Sequence, residues 1–262
     1  MKTEIAKIIS NRPITGGIYD MWIKTTIAKE ARCGQFIGVY PKDGSRLLQR
    51  PISICRISDD KESLRIVYRV AGKGTDEISS FKAGEDITIL GPCGNGFDPD
   101  ALKIGQTALL LGGGIGLPPM LQLGYELKNK GLDFKYVLGY RDSDTFMLDE
   151  YEECAGAGNV IIATDDGSKG VKGTVIDAIN ANGLKADVIY ACGPMPMLRA
   201  VKQTSEQMGA TAFISLEERM ACGVGACLGC VCKTTKKDDH SKVNNARVCV
   251  EGPVFRAEDV QI

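Results

Sequence analysis

The feature that most constrains this chain is a change of hydrophobic period near residue 100. Before it, apolar residues come in short alternating runs. "IYDMWIKTTI" places Tyr19, Met21 and Ile23 on one face, and "QFIGVY", "PISICRI", "SLRIVYRVA" and "DITIL" are of similar length, separated by turn signals such as "KDGS". Period-two alternation over a few residues predicts strands, and several short strands with turns between them predict a small antiparallel barrel. One short helix is expected near Thr75, with Asp76 and Glu77 in its first turn. After "GPCGNGFDPDALKIG" the pattern becomes strand, helix, strand. "TALLLG" is a buried strand followed by a glycine loop and a helix over residues 118–130, closed by Gly131. "FKYVLGY", "NVIIAT" and "DVIYAC" are further strands, with helices between them ending at Gly183 and Gly209. That alternation predicts a parallel sheet with crossover helices. From Leu216 a cysteine-rich segment takes over. The expected architecture is therefore multidomain, β plus α/β: a barrel over 1–100, a parallel-sheet domain over 101–215 and a small C-terminal domain over 216–262.

A chain of 262 residues is long enough for three such modules. Its formal net charge is −1 with Lys and Arg scattered, which gives no phosphate-tracking surface, so no nucleic-acid partner is expected. The start, "MKTEIAKIIS", has no secretory signal, and the most apolar region, "TALLLGGGIGLPPMLQLGY", is broken by five glycines and two prolines, so no membrane span is expected. A cytoplasmic, reducing address follows. Clustered thiols among the ten cysteines then point to metal or redox chemistry rather than disulfides. The single histidine, His240, reads as a solvated loop residue. One histidine excludes a Rieske centre and a two-His, one-carboxylate iron site within one chain.

"CGVGACLGCVC" holds the thiols. Cys222, Cys227 and Cys230 form C-x4-C-x2-C, the spacing of plant-type [2Fe–2S] sites. Gly223, Gly225, Ala226 and Gly229 leave room for the backbone to close around a cluster and aim N–H groups at sulfur. A fourth ligand has to come from farther along the chain, from Cys249 or from Cys232, and Cys232 can also stand in for Cys230 or be a spare thiol. The [4Fe–4S] run C-x2-C-x2-C-x3-C-P is absent. Structural zinc also accepts four cysteines but favours paired C-x2-C spacings, and only one such pair is present.

Two further stretches suggest nucleotide binding. In "LLLGGGIGLPPM", Gly112, Gly113, Gly114 and Gly116 lie between a strand and a helix, where a diphosphate can approach the backbone. The spacing is not that of the G-x-G-x-x-G fingerprint, and a tight turn without a ligand is the competing reading. "ACGPMPML" puts Cys192, Gly193 and Pro194 at a C-terminal strand edge, where open α/β sheets bind ligands and Gly193 lets a planar ring lie close. No residue is assigned as catalytic. Cys192 is the candidate nearest a nicotinamide, or simply a small buried residue. Asp165 and Asp166 either meet ribose hydroxyls or make the turn that Gly167 completes. In the first domain, Arg50 before Pro51, Ile52 and Ser53, together with the Gly74–Thr75 helix start, can hold a diphosphate, and Ser53 can hydrogen-bond a flavin ring. An edge strand with a solvated charge would read the same way.

Together the Arg-x-x-Ser strand, the Gly-Thr helix start, the "GGGIG" loop and the late "CGP" resemble the ferredoxin–NADP reductase superfamily over residues 1–215. With "ISLEERMACGVGACLGCVC" and "RVCVEGPVF", the whole chain closely resembles the electron-transfer subunits of NAD-linked dihydroorotate dehydrogenase type B. The gap before Cys249 is shorter than in plant-type ferredoxins and agrees with that subunit family. The resemblance implies FAD on Arg50, Pro51, Ile52, Ser53, Val67, Tyr68, Arg69, Gly74 and Thr75, and a [2Fe–2S] cluster on Cys222, Cys227, Cys230 and Cys249. It implies NAD at the glycine loop, Asp166 and the Cys192–Pro194 edge, with Arg141 a solvated charge rather than a 2′-phosphate ligand. It also implies a catalytic partner, an FMN-containing TIM barrel of about 250 residues that the three modules leave no room for, assembled as a heterotetramer of two catalytic and two electron-transfer subunits in UMP synthesis. The competing readings are an electron-transfer subunit of a ferredoxin–NADP oxidoreductase, hydrogenase or sulfite reductase, and a non-catalytic zinc-stabilised binding module.

Overall fold

The computed structural model describes residues 1–237 and 242–262, so His240 lies outside the described residues. Six strands close the expected barrel: β1 (Lys2–Thr15), β2 (Ile18–Lys24), β3 (Phe36–Tyr40), β4 (Arg50–Ile57), β5 (Ser63–Arg69) and, after the helix α1 (Lys73–Ser79), β6 (Asp86–Cys93). Their order around the barrel is β1-β2-β5-β4-β3-β6, with every neighbouring pair antiparallel. Strand alternation fixes what goes inside. Met21 and Ile23 of β2, Ile52 and Ile54 of β4, and Ile66 and Tyr68 of β5 fill one apolar cluster, against which Tyr19 packs. The long β1, which carries little apolar alternation, is recognisable only from its pairing with both β2 and β6.

The second unit is a seven-stranded sheet. Its chain order is β7 (Thr107–Gly113), α2 (Pro118–Asn129), β8 (Asp133–Tyr140), α3 (Leu148–Ala155), β9 (Val160–Thr164), β10 (Val171–Lys172), α4 (Val175–Ala181), β11 (Val188–Cys192), α5 (Met195–Met208) and β12 (Thr211–Ser215). The strand order is β10-β9-β8-β7-β11-β12, parallel throughout, so the order reverses between β7 and β11. Sequence periodicity does not reveal α3, whose first turn is acidic and whose N-cap, Met147, has a left-handed backbone with φ 61°.

The cysteine-rich segment contributes a two-stranded ribbon, β13 (Val231–Lys233) with β14 (Asn245–Arg247), and then β15 (Val254–Arg256). β15 pairs antiparallel with β12 and becomes the seventh strand of the sheet. One apolar cluster joins Phe36, Leu90 and Cys93 of the barrel, Leu109, Ile189 and Ile214 of the sheet, and Leu216, Cys230, Val248 and Cys249 of the last segment. Burial at this three-way junction holds the thiol loop against both other units.

The outer wall of the barrel is covered too. Ile18, Cys55 and Val67 lie in one apolar cluster with Leu110, Leu117 and Tyr140 of the sheet unit. Gln122 of α2 accepts the Ile57 backbone N–H at 3.0 Å, and the Arg56 guanidinium lies 3.7 Å from the Tyr125 ring centroid. Buried between β2, β5 and α3 is an ion network: Arg65 Nε donates to Asp20 Oδ1 at 2.8 Å, and Arg65 also pairs with Glu150. Asp20 is 1% exposed. Burial opposes the Arg65 charge, but its hydrogen bonds to Glu150 and Asp20 outweigh this and hold its pKa above the ordinary value. Among the described residues no helix is long and apolar enough to cross a membrane.

Replacing Arg65 with Met removes the buried partner of Asp20 and leaves its carboxylate only Arg12 of β1, a largely exposed side chain at 3.2 Å. Breaking a buried pair in this way costs about 3–5 kcal/mol, so the Arg65→Met midpoint in urea unfolding should fall sharply. The double variant Asp20→Leu/Arg65→Met should recover part of the loss.

Candidate functional site

The site is built from three places, one on each unit. The first is the start of β4. The Arg50 guanidinium lies so close over Gly74 of α1 that a Cβ there would fall 2.2 Å from Arg50 Nε. Arg50 also donates to the carbonyl of Leu48. The Thr75 hydroxyl turns back on its own loop, accepting the N–H groups of Ala71 at 2.9 Å and Gly72 at 3.2 Å and donating to the Gly72 carbonyl at 3.0 Å. Thr75 thus shapes the loop, while Arg50 and the side-chain-free Gly74 leave a cationic cradle of the kind a diphosphate requires. The alternation of β4 and β5 divides the other flavin candidates. Ile52 and Tyr68 point into the barrel core, Tyr68 donating from its hydroxyl to Asn11 Oδ1 at 3.1 Å, so these two offer only backbone atoms. Pro51, Ser53, Val67 and Arg69 alternate to the outer wall. Val67 is buried there in the cluster that includes Leu117, just past the glycine loop.

The second place is the strand-order reversal. Gly112 and Cys192 are register partners on neighbouring parallel strands, so the two glycine-bearing motifs are brought together. Gly114 has φ +55°, and a Cβ on Gly116 would fall 2.4 Å from the Cys192 carbonyl oxygen. A Cβ on Gly113 or Gly193 would fall 2.6 or 2.7 Å from Met197 Sδ. The glycines therefore permit close packing of loop on strand, and the Met197 thioether lies against both. Pro194 caps α5 in an extended conformation. The Cys192 residue is half-buried, but its thiol is enclosed, and burial pushes it up to about 12, which keeps it neutral near pH 7. Asp166 is exposed and makes the turn: its Oδ1 accepts the N–H of Ser168 at 2.9 Å and the Ser168 hydroxyl at 2.6 Å, which lowers its pKa. Arg141 is exposed.

The third place is the thiol loop. Gly223 (φ +69°) and Gly225 (φ +80°) adopt left-handed backbone and fold the loop back on itself. The backbone N–H groups of Val224 and Cys227 both donate to Cys222 Sγ at 3.4 Å, and that of Gly229 donates to Cys227 Sγ at 3.4 Å. These donors, Val224 first, draw the Cys222 thiol down to about 6, whereas burial and then Cys230 push Cys249 up. Backbone N–H groups of the loop thus serve the sulfurs of both Cys222 and Cys227, while Cys230 and Cys249 are both buried in the three-way apolar junction. Among the described residues no three His, Cys, Asp or Glu side chains gather at the spacing of a single ion. Two cysteines for each of two irons is the donor set of a binuclear cluster, and the residues present fit it. Cys232 sits in β13 opposite Ala246 of β14, with its side chain in the apolar junction. All ten cysteines are free thiols.

Sequence reasoning missed the residues that brace this loop. Asn95 lies just beyond β6. Its Nδ2 donates to the carbonyls of Glu251 at 2.7 Å and Val254 at 3.0 Å, and its Oδ1 accepts the N–H of Val254 at 3.2 Å. It thus ties the barrel to the chain that follows Cys249. Arg247 donates to the Gly225 carbonyl at 3.1 Å and pairs with Glu251. In the sequence, Asn95 is only one polar residue in a glycine-rich linker, and its partners lie more than 150 residues away.

A closed antiparallel barrel, a parallel sheet with glycines at its reversal point and a loop of thiols define a flavin- and nicotinamide-dependent reductase carrying an iron–sulfur module. The model of the iron–sulfur cluster binding domain of dihydroorotate dehydrogenase B matches residues 217–261. Over its whole length the chain is 43% identical to the dihydroorotate dehydrogenase B (NAD(+)) electron transfer subunit of Bacillus pumilus, covering 99% of that relative. It is 42% identical to the subunit of the same name from Fusobacterium nucleatum, with both chains covered completely. Among solved structures, that of an NADH-dependent reduced ferredoxin–NADP oxidoreductase superposes with a TM-score of 0.85 at 29% identity, over 98% of this chain and 90% of that one. Phthalate dioxygenase reductase shares the fold, with a TM-score of 0.64 at 18% identity over 95% and 94% of the two chains. The chain belongs to the family of dihydroorotate dehydrogenase B electron transfer subunits.

Two outcomes test the site. Gly74→Ala drives a methyl into the Arg50 guanidinium, and the purified variant should carry much less flavin than the parent. Cys230→Ala should lose its iron in metal analysis, while Cys232→Ala should retain it.

Proposed function

We propose that this chain carries electrons between the FMN-containing catalytic subunit of a dihydroorotate dehydrogenase and NAD⁺, in a heterotetramer of two catalytic and two electron-transfer subunits that serves pyrimidine synthesis in the cytoplasm. The overall reaction balances as dihydroorotate plus NAD⁺ giving orotate, NADH and H⁺. FAD, [2Fe–2S] and NAD are its cofactors: nicotinamide exchanges a hydride, the cluster one electron at a time, and the flavin does both.

The chain's own residues set the conditions. Arg50 and Gly74 hold the flavin diphosphate, and Ser53 and the backbones of Ile52 and Tyr68 face the ring from the barrel, with Pro51, Val67, Arg69 and Thr75 shaping the same wall. The Gly112–Gly116 loop and the Cys192–Pro194 edge bring the nicotinamide to that wall, Asp166 standing at the ribose side. Cys192 stays neutral there and is no nucleophile. Cys222, Cys227, Cys230 and Cys249 hold the two irons, and the backbone N–H groups of the loop stabilise charge on sulfur. The division into 1–100, 101–215 and 216–262 follows these three tasks, with the last part lending β15 to the sheet.

The observation that carries this reading is the loop that turns backbone N–H groups onto Cys222 and Cys227 at a junction where Cys230 and Cys249 are buried among side chains of all three units. The surface around them supports a partner at that end: Val224, Leu228 and Val250 of the thiol segment and Leu47 and Leu48 before β4 are exposed apolar side chains. Apolar groups exposed together mark interaction surfaces. A second reading, reduced ferredoxin in place of the catalytic subunit, is favoured by the 29% identical relative.

Anaerobic purification from the native host decides between them. A dihydroorotate-oxidising FMN protein should co-purify, at a mass that fits two copies of each chain. In the complex, Cys222→Ala should abolish NAD⁺ reduction by dihydroorotate yet leave NADH oxidation by a small dye acceptor. NAD⁺ reduction driven by reduced ferredoxin and not by dihydroorotate would establish the second reading instead.

A further inference from the structure

Gln49 stands apart from every other side chain near the site. It is 2% exposed, and among the described residues neither its amide oxygen nor its amide nitrogen has a hydrogen-bond partner. Buried amides in folded proteins are nearly always satisfied, because leaving both ends unmade is costly. The surroundings of this one are specific. A Cβ on Gly38 of β3 would fall 1.2 Å from Gln49 Oε1, and a Cβ on Gly223 would fall 1.8 Å from Nε2. Gly223 follows Cys222 directly and has a left-handed backbone. The amide is therefore wedged between the barrel and the thiol loop, where only two glycines leave it room. The next residue, Arg50, begins β4 and reaches over Gly74. A dipeptide thus touches both the flavin cradle and the thiol loop.

We propose that the Gln49 amide donates a hydrogen bond to the sulfur shell around Cys222, making it a positioning residue that ties the flavin strand to the cluster and raises the cluster's reduction potential. The inference rests on the assignment of the cluster to these four thiols. Its direction follows from charge. The reduced cluster is more negative than the oxidised one, so an N–H aimed at its sulfur stabilises the reduced form. The flavin is the lesser candidate as acceptor, because the amide faces Gly223 on one side and β3 on the other rather than the outer wall of β4 and β5. Gln49 itself is not among the residues that hold either cofactor.

Two measurements on the assembled complex test this. The first uses the parent protein, labelled with ¹⁵N only in glutamine side chains. Pulsed electron paramagnetic resonance of the reduced cluster should show a coupling to a side-chain ¹⁵N, and Gln49→Met should remove it. The second is a potentiometric titration of Gln49→Met, in which iron and flavin contents should match the parent while the cluster midpoint falls and the flavin midpoint does not move. A labelled parent with a normal cluster signal but no such coupling overturns the proposal, even if Gln49→Met fails to fold. So does an unchanged cluster midpoint, or a shift confined to the flavin. A parent that gives no reduced binuclear signal at all would instead overturn the cluster assignment on which the proposal stands.

Discussion

The structure depends on what covers the outer wall of the barrel. A closed six-stranded barrel can satisfy its own interior, but here β2, β4 and β5 also carry Ile18, Cys55 and Val67 outward, and these must leave water. The sheet unit supplies the cover, and Arg65 sits in the seam with Asp20 beneath it and Glu150 across from it. The hydrophobic term supplies the adhesion. The ion network supplies the register through Arg65, which Asp20 holds in place within the barrel and which meets Glu150 of α3 across the seam. Because β4 and β5 and the glycine loop lie on opposite sides of this one seam, the seam sets the spacing between the two proposed cofactor sites, and hydride transfer between cofactors held there would tolerate little misplacement.

Much of this was legible in the chain. Alternating runs such as "IYDMWIKTTI" gave the barrel strands, because a two-residue period is imposed by the pleat and survives in any context. The glycine loop and the "CGP" edge were both expected at C-terminal strand ends, and register pairing of Gly112 with Cys192 puts them side by side. The C-x4-C-x2-C spacing identified the thiol loop because a cluster-wrapping loop is local in sequence. Illegible features were those that depend on distant partners. α3 is too short and too weakly patterned to stand out. The direction of Tyr68, into the barrel rather than toward the flavin, follows from strand phase and could not be fixed from the motif alone. Asn95, Glu150 and Gln49 are polar residues of unremarkable sequence context whose meaning lies entirely in groups far along the chain.

The thiol loop also shows how a metal centre can be prepared by backbone before the metal is considered. Two glycines in left-handed conformation fold the loop so that the N–H groups of Val224 and Cys227 meet Cys222 Sγ, and together with the Cys227 side chain these draw its thiol toward the anion. Cys249 is the opposite case, deeply placed and reluctant to ionise.

The last segment matters to the sheet as well as to the thiols. Strand β15 lies five positions beyond Cys249, and it alone covers the free edge of β12. Should the C-terminal stretch come away, β12 would present a bare ladder of N–H and C=O groups, the kind of edge on which chains stack into aggregates.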